Sequence, residues 1–382
     1  MQRDSGAPLY EFFAGGGLAR LGLAGDFACV FANDVDRAKA DAYGAAFGRE
    51  NLRVGDIWTL SAADLPGRAA LAWASFPCQD LSLAGARGGL DAPRSGTFWG
   101  FHRLIEALVR EDRAPPVLAL ENVCGLLSSR GGEDFAALIA ALDGLGYRVG
   151  ALEIDAAHFT PQSRQRLFIV AIRTAAPHYL QAREPSAPFH SQAIQNAVAR
   201  LPEPTRAKWI WWRLETPPRR NTHLVDILDD APEEAWDSVE KTERLVSQMS
   251  PLQRERLALL QRTNKRSVGA VFRRIRIENG VRLQRAEARF DGLAGCLRTP
   301  AGGSSRQILL FVEGVRIRSR LISPREAARL MGAPDHFPLP ASQTAALHLL
   351  GDGVCVDVVR WLSSRLLAPL AGLEARKKRT AQ

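Results

Sequence analysis

The chain has 382 residues, 46% of them hydrophobic, which is material for two domains or for one large elaborated one. No apolar run approaches the roughly 18 residues of a membrane span, and Met1–Pro8 lacks the charged-then-apolar layout of a secretory signal, so a cytoplasmic protein free of membrane is expected. Fifty Lys and Arg against 41 Asp and Glu give a net charge of +9, and five cysteines at wide, irregular intervals without a C-x-x-C pair argue against a disulfide framework or a zinc site, leaving free thiols and no metal as the expectation.

In chain order, the first 175 residues alternate short apolar runs with helix-forming stretches. Leu9–Phe13 ends in the glycine turn Gly15-Gly16-Gly17, and Ala28–Ala32 is followed by a helical stretch from Asp36 to Ala46. Further strand candidates are Leu71–Ala74, Val117–Leu120 and Leu167–Ile172, with helical patterns at Phe101–Arg110 and Phe135–Leu142. This alternation predicts an α/β fold, a doubly wound and mostly parallel sheet whose ligands bind beyond the carboxyl ends of its strands.

From about residue 176 the pattern breaks. Seven prolines between 177 and 218, the cluster Trp209-Ile210-Trp211-Trp212 and an arginine-rich stretch predict a smaller, irregular second domain over 176–320. Helical patterns at Ser323–Met331 and Val354–Leu367 predict a return to the first domain over 321–370, before a basic tail at 371–382. Residues 251–330 carry 18 Lys/Arg and 6 Asp/Glu, so the positive field belongs to that segment. Arginine's planar fork suits phosphate and guanine edges, which makes nucleic acid one reading and a solvated arginine-rich surface the other. In Val271–Ile277, Arg274 and Arg276 share one face of a β-like run and can meet DNA.

Four places carry chemistry. Phe13, Ala14, Gly15 and Gly17 form a turn that brings backbone amides to a helix start; it could serve NAD, a nucleotide or S-adenosylmethionine, or be only a tight turn. Asp34 directly follows the second apolar run, where a carboxylate can accept from ribose hydroxyls, and Asp56-Ile57 follows a third, so an adenosine-containing cofactor is favoured. Cys78 follows the fourth strand beside Pro77; it is a candidate nucleophile, or else a small buried hydrophobe. Glu121-Asn122 emerges at the same sheet edge, and Gln162-Ser163-Arg164-Gln165-Arg166 precedes the next strand; a helix-capping glutamate and surface salt bridges are the plainer readings.

Phe13-x-Gly-Gly-Gly, Phe76-Pro77-Cys78-Gln79, Glu121-Asn122-Val123, Gln162-x-Arg164-x-Arg166, Arg325–Gly332 and Gly351-x-Gly353-Val354, in that order, resemble the motifs of the DNA cytosine-5 methyltransferases. The resemblance runs from residue 9 to about 365 and is absent from about 176 to 290, where that family's target-recognition region varies. It implies an S-adenosylmethionine-dependent enzyme that flips the target cytosine out of duplex DNA and forms a transient covalent adduct. By resemblance Cys78 attacks C6, Glu121 holds or shares a proton at N3, Arg166 orients the base through O2, and Arg164 assists the phosphate or the thiolate. Phe13, Ala14, Gly15, Gly17, Asp34, Asp56, Ile57 and Pro77 would line the cofactor site, and Gln79, Asn122 and Gln162 would join Arg274 and Arg276 toward the DNA. Two positions depart from the family pattern: Asp352 stands where asparagine is usual, and Cys296-Leu297 where Thr-Leu is usual.

The expected partner is double-stranded DNA, the expected state a monomer, with a companion restriction endonuclease on a separate chain. An RNA (tRNA) cytosine methyltransferase on the same scaffold is the alternative. A DNA-binding protein without catalysis is disfavoured by the presence of thiol, carboxylate and both arginines, and a nicotinamide oxidoreductase would leave Pro77-Cys78-Gln79 and the arginine pair without a role.

Overall fold

A computed structural model describes residues 6–77, 96–229, 236–278, 280–299 and 306–372. The chain divides into two units, one made of residues 1–155, 165–217 and 358–382, the other of 156–164 and 218–357.

The first unit is built on a seven-stranded sheet. Its strands are β1 (Ala7–Phe12), β2 (Phe27–Asp34), β3 (Leu52–Val54), β4 (Leu71–Ala74), β5 (Val117–Asn122), β6 (Arg148–Asp155) and β7 (Gln165–Ile172), in the spatial order β3-β2-β1-β4-β5-β7-β6. The pairs among β3, β2, β1, β4 and β5 are parallel, while β7 runs antiparallel to both neighbours. The five interior runs were legible as strands because a sheet covered on both faces favours apolar residues on both sides of a strand, as in Leu71–Ala74, where all four residues are buried.

Helices α1 (Leu18–Leu23), α2 (Arg37–Phe47), α3 (Thr97–Arg110) and α4 (Glu133–Gly144) connect the strands. α3 buries Phe98, Phe101, Leu104, Ile105 and Leu108, and α4 buries Phe135, Leu138, Ile139 and Leu142, each a single stripe at helical spacing. These stripes share one core with Tyr10, Phe12, Ala72, Ala74, Leu118 and Leu120 of the sheet. The opposite face of the sheet carries Trp73 and Phe168, with ring centroids 6.2 Å apart.

Residues 176–217 belong to this first unit, although their prolines and tryptophans suggest a break at 175. A short pair, β8 (Gln181–Ala182) with β9 (Trp211–Trp212), and helices α5 (Gln192–Ala199) and α6 (Glu203–Arg206) account for them. The Ile210 amide donates to the Val149 carbonyl on β6, and Trp209 packs on Phe135 of α4. The tryptophan cluster therefore extends the first core.

The second unit is less irregular than its sequence promises. Helices α7 (Val239–Ser247) and α8 (Pro251–Arg262) pack on an antiparallel sheet of β10 (Ser267–Glu278), β11 (Val281–Arg289), β12 (Ile308–Glu313) and β13 (Arg316–Leu321), in the order β11-β10-β12-β13. Leu245, Met249, Leu257, Val271, Ala286, Ile308, Leu310 and Val312 form its core. Helices α9 (Pro324–Leu330) and α10 (Gln343–Asp352) belong to this unit, and α11 (Val356–Leu362) leads out of it. Ser323 caps α9 through the Glu326 amide, with Pro324 in the first turn, as its sequence predicts. Glu326 in turn forms a fully buried ion pair with Arg320 at 2.7 Å, which ties α9 to β13. Among the described residues no helix is long and apolar enough to cross a membrane.

Candidate active site

The carboxyl ends of β1, β2 and β3 are laced together by side chains. Asn33, at the end of β2, donates to the carbonyls of Arg53 and Gly55 at 3.0 and 2.9 Å, and its own carbonyl accepts from the Ala14 amide at 3.0 Å. Asp34 accepts from the Gly15 amide at 2.7 Å through one oxygen and from the Asp36 amide at 2.8 Å through the other. Burial raises its pKa above the ordinary value, against those two amide bonds. Each oxygen keeps a second lone pair, so Asp34 can shape the glycine turn and still accept from a ligand.

The turn itself is conformationally special. Phe13, Gly15 and Gly17 all have positive φ, at 56°, 55° and 83°. For phenylalanine that conformation costs on the order of 1 kcal/mol or more, the kind of strain found at ligand sites. Gly17 is required twice over, by its φ and because a Cβ would stand 2.4 Å from the Phe47 ring. A Cβ on Gly15, by contrast, would meet nothing within 4 Å, so the turn is open at that point. Below it, Glu11 is fully buried and accepts from the Arg20 amide of α1 and from the Tyr43 hydroxyl, both at 3.1 Å. Burial pushes this carboxyl up to about 7, against the Arg20 charge and the Tyr43 bond. Glu11 and Asn33 went unnoticed in the sequence; a carboxylate inside an apolar strand run was the signal for Glu11.

Asp56 is exposed and caps the turn Ile57–Thr59 by accepting from the Trp58 amide at 3.0 Å. The Ile57 side chain lies in the core, so only its backbone faces outward chemistry. Pro77 is half-buried at the end of the described run. Cys78 and Gln79 lie outside the described residues.

At the carboxyl end of β5, Glu121 is buried and forms an ion pair with Arg166 of β7, Nε to Oε1, at 3.1 Å. The two strands are hydrogen-bonded neighbours, Glu121 opposite Phe168, and Arg166 lies on the same strand two residues before Phe168. Cys124, which the sequence reading passed over, stands beside this pair and Glu153; burial, then the Glu153 and Glu121 charges, push its thiol up to about 12 against Arg166. Cys29 is likewise pushed up to about 12 by burial and the Glu11 charge. Neither is ionised near neutral pH, and the four described cysteines are free thiols.

Three site expectations change. Asn122 is buried rather than turned toward a substrate: its side-chain oxygen accepts from the Val123 amide at 2.9 Å and its amide donates to the Phe76 carbonyl at 3.5 Å, two residues before Cys78. Gln162 is fully buried, donates to the Leu330 carbonyl at 2.9 Å and accepts from the Leu297 amide at 3.0 Å, and so is not a DNA contact. Arg164 donates to the carbonyls of Leu297, Gly351 and Gly353 at 2.9, 2.8 and 2.6 Å and to the Cys296 sulfur at 3.3 Å. Its guanidinium is thus engaged with the backbone of the second unit, whereas Arg166 pairs with Glu121 of the first. Asp352 accepts from the Thr299 hydroxyl at 2.8 Å, a bond its carboxylate makes within the second unit. Arg274 and Arg276 do share a face of β10, and both pair with Glu287 of β11.

The sequence profile of the C-5 cytosine-specific DNA methylases matches residues 8–368. The type II methyltransferase M.NlaX of Neisseria lactamica is 28% identical over 373 residues, covering 97% of this chain and 99% of that protein. The type II methyltransferase M.Bsp6I of a Bacillus species is 28% identical over 364 residues, covering 93% and 97%. The crystal structure of the Dnmt2 methyltransferase of S. pombe superposes with a TM-score of 0.61 at 16% identity over 96% of this chain and 99% of that one, which shows a shared fold. This chain belongs to the C-5 cytosine-specific DNA methylase family and is a DNA (cytosine-5-)-methyltransferase.

Proposed function

We propose that this enzyme methylates C5 of a cytosine flipped out of duplex DNA, through a covalent bond between the Cys78 sulfur and C6 of the ring. C5 is a poor nucleophile until a thiolate adds at C6 and pushes electron density into the ring. Cys78 takes this step by its place after β4 in the Phe76-Pro77-Cys78-Gln79 motif that resembles the family's, while burial keeps the thiols of Cys29 and Cys124 protonated. As the C6–S bond forms, negative charge grows toward N3, where the Glu121 carboxyl provides the proton. Arg166, bonded to Glu121, keeps that carboxyl oriented and presents its guanidinium to O2 of the base. After methylation a base removes the C5 proton, the C6–S electron pair returns to sulfur as the thiolate leaves, and the N3 proton returns to the Glu121 carboxylate. The sequence names no residue for that base, and water can serve.

The family uses S-adenosylmethionine, which supplies a sulfonium methyl when bound. The residues of the first unit fit it. Phe13, Ala14, Gly15 and Gly17 give an open turn, Asp34 retains acceptor capacity for ribose hydroxyls, Asp56 and the Ile57 backbone lie at the end of β3, and Pro77 begins the segment carrying the thiol. Arg274 and Arg276 provide phosphate contacts from the second unit. The protein acts as a monomer in a bacterial cytoplasm, and the type II names of its relatives support a companion restriction endonuclease.

The observation that carries this reading is the order of groups along β5: Glu121 paired to Arg166, then Asn122 bonded to the Phe76 carbonyl, which precedes Cys78 by two residues in the sequence. Methyl-labelled S-adenosylmethionine offered with plasmid DNA and with tRNA tests it. Label in DNA is expected; label confined to tRNA would make the protein an RNA methyltransferase.

A further inference from the structure

β10 pairs with β12 only over Ser267–Val271. From Phe272 onward it pairs with β11 alone, through Glu278↔Val281, so its second half and β11 form a two-stranded ribbon that outruns the rest of the sheet. A ribbon of this kind has little stability of its own in water. Yet it exposes apolar residues: Ile275 is 61% exposed, Ile277 74% and Val281 56%. Bare apolar side chains on a ribbon that outruns its sheet mark a surface made to be covered.

Charge says by what. Residues 272–285 contain five arginines and one glutamate. Arg274 stands directly opposite Arg285, a like-charge pair across the two strands. Glu287 pairs with both Arg274 and Arg276 and offsets only part of the surplus. A second copy of the ribbon would bring arginine against arginine, so self-association is disfavoured. A polyanion suits it.

The register then sorts the ribbon into two chemistries. One face carries Ile275 opposite Gln284 and Ile277 opposite Arg282; the other carries Arg274 opposite Arg285 and Arg276 opposite Leu283. Apolar, amide and guanidinium groups together are what discriminates base edges in the major groove, where an isoleucine meets a thymine methyl, glutamine an adenine and arginine a guanine. The major groove admits a two-stranded β-ribbon. Gln284 is already oriented, since its oxygen accepts from the Gln248 side chain at 3.1 Å.

Resting on the reading of this protein as a DNA methyltransferase, we propose that the β10–β11 ribbon is its sequence-reading element: Ile275, Ile277, Arg282 and Gln284 face the base edges of the major groove, and Arg274, Arg276 and Arg285 hold the flanking phosphates. Specificity and electrostatic affinity are thus separable on two faces of one ribbon.

The test uses the full chain. Bisulfite sequencing of plasmid DNA methylated by the wild-type protein identifies its site, and a duplex carrying that site is compared with a scrambled duplex at several salt concentrations. Ile275→Ala with Ile277→Ala, both at exposed positions, is expected to weaken binding to the site by roughly tenfold or more while sparing the scrambled duplex and the salt dependence. Arg274→Ala with Arg276→Ala is expected to weaken both duplexes and lower the slope of log affinity against log salt by roughly 2, near 0.9 per lost contact. An isoleucine variant with unchanged preference and unchanged methylation of the plasmid overturns the ribbon's role alone, as does a wild-type dimer in sedimentation that this variant abolishes. A wild-type protein that never labels DNA overturns the enzymatic reading, and the ribbon's role with it.

Discussion

The Arg166 guanidinium lies 3.1 Å from the Glu121 carboxylate, and both groups are presented by adjacent strands of the same sheet. Neither position depends on a loop, so the pair is held by the most rigid part of the unit. Two consequences follow for activity. Glu121→Gln keeps the shape and removes the exchangeable proton; single-turnover methyl transfer should fall by roughly 10²–10⁴ with DNA affinity little changed. Arg166→Lys keeps the charge and loses the planar fork, and should also be slow, because lysine cannot hold a carboxyl and a base oxygen in one plane. Near-normal rates for both would remove the pair from the chemistry.

Arg164 is expected to behave differently. Its guanidinium satisfies the carbonyls of Leu297, Gly351 and Gly353, and Arg164→Met would strand them without donors. The loss should be several kcal/mol of stability, at about 1–3 kcal/mol per buried group left unpaired. Urea unfolding of the variant reads this directly. A normally stable but inactive Arg164→Met protein would return Arg164 to the catalytic list.

The cofactor site makes a separate prediction. Asp34→Ala removes the acceptor for the Gly15 and Asp36 amides as well as any ribose contact. S-adenosylhomocysteine affinity should drop at least tenfold by calorimetry, while the wild-type protein is stabilised by about 2.7 kcal/mol at a hundredfold excess of S-adenosylhomocysteine over its dissociation constant. Binding of NAD in place of S-adenosylhomocysteine would contradict the assignment.

The strands of the first sheet were more legible in the sequence than the buried polar residues around them. The run Val117–Leu120 leading into Glu121-Asn122 could be read as a buried strand delivering a carboxylate, because burial on both faces and the change to polar residues are local signals. β6 was missed: Arg148–Asp155 begins with a charged residue and contains Gly150, so its apolar content is diluted. The Trp209–Trp212 cluster looked like the start of a new domain because its partners, Val149 and Phe135, are about sixty or more residues away. The roles of Gln162 and Arg164 were illegible for the same reason. Their partners are backbone carbonyls 133 to 189 residues further on, and no side-chain pattern announces a carbonyl.

Glu11 predicts a pH dependence of stability. The folded protein holds this carboxyl near 7, against 4.5 for an ordinary glutamate, so it keeps a proton that the unfolded chain releases. Its contribution is complete below about 4.5 and is lost as the pH rises through about 7. Glu11→Gln has no proton to lose. Its stability relative to wild type should therefore improve between pH 5 and pH 8, by up to about 3 kcal/mol at roughly 1.4 kcal/mol per pKa unit. Equal differences at the two pH values, measured by urea unfolding, would show that Glu11 does not titrate in this window.

The proposed bond between the Cys78 sulfur and the cytosine ring can be trapped. Duplex DNA in which the methylated cytosine is replaced by 5-fluorocytosine, incubated with S-adenosylmethionine, should give a protein–DNA complex that survives denaturation, because fluorine at C5 does not leave as a proton does. Cys78→Ser should give none, and Cys124→Ser should trap like the wild type. Undiminished trapping by Cys78→Ser, or no trapping by a wild-type protein that methylates ordinary DNA, would contradict the account.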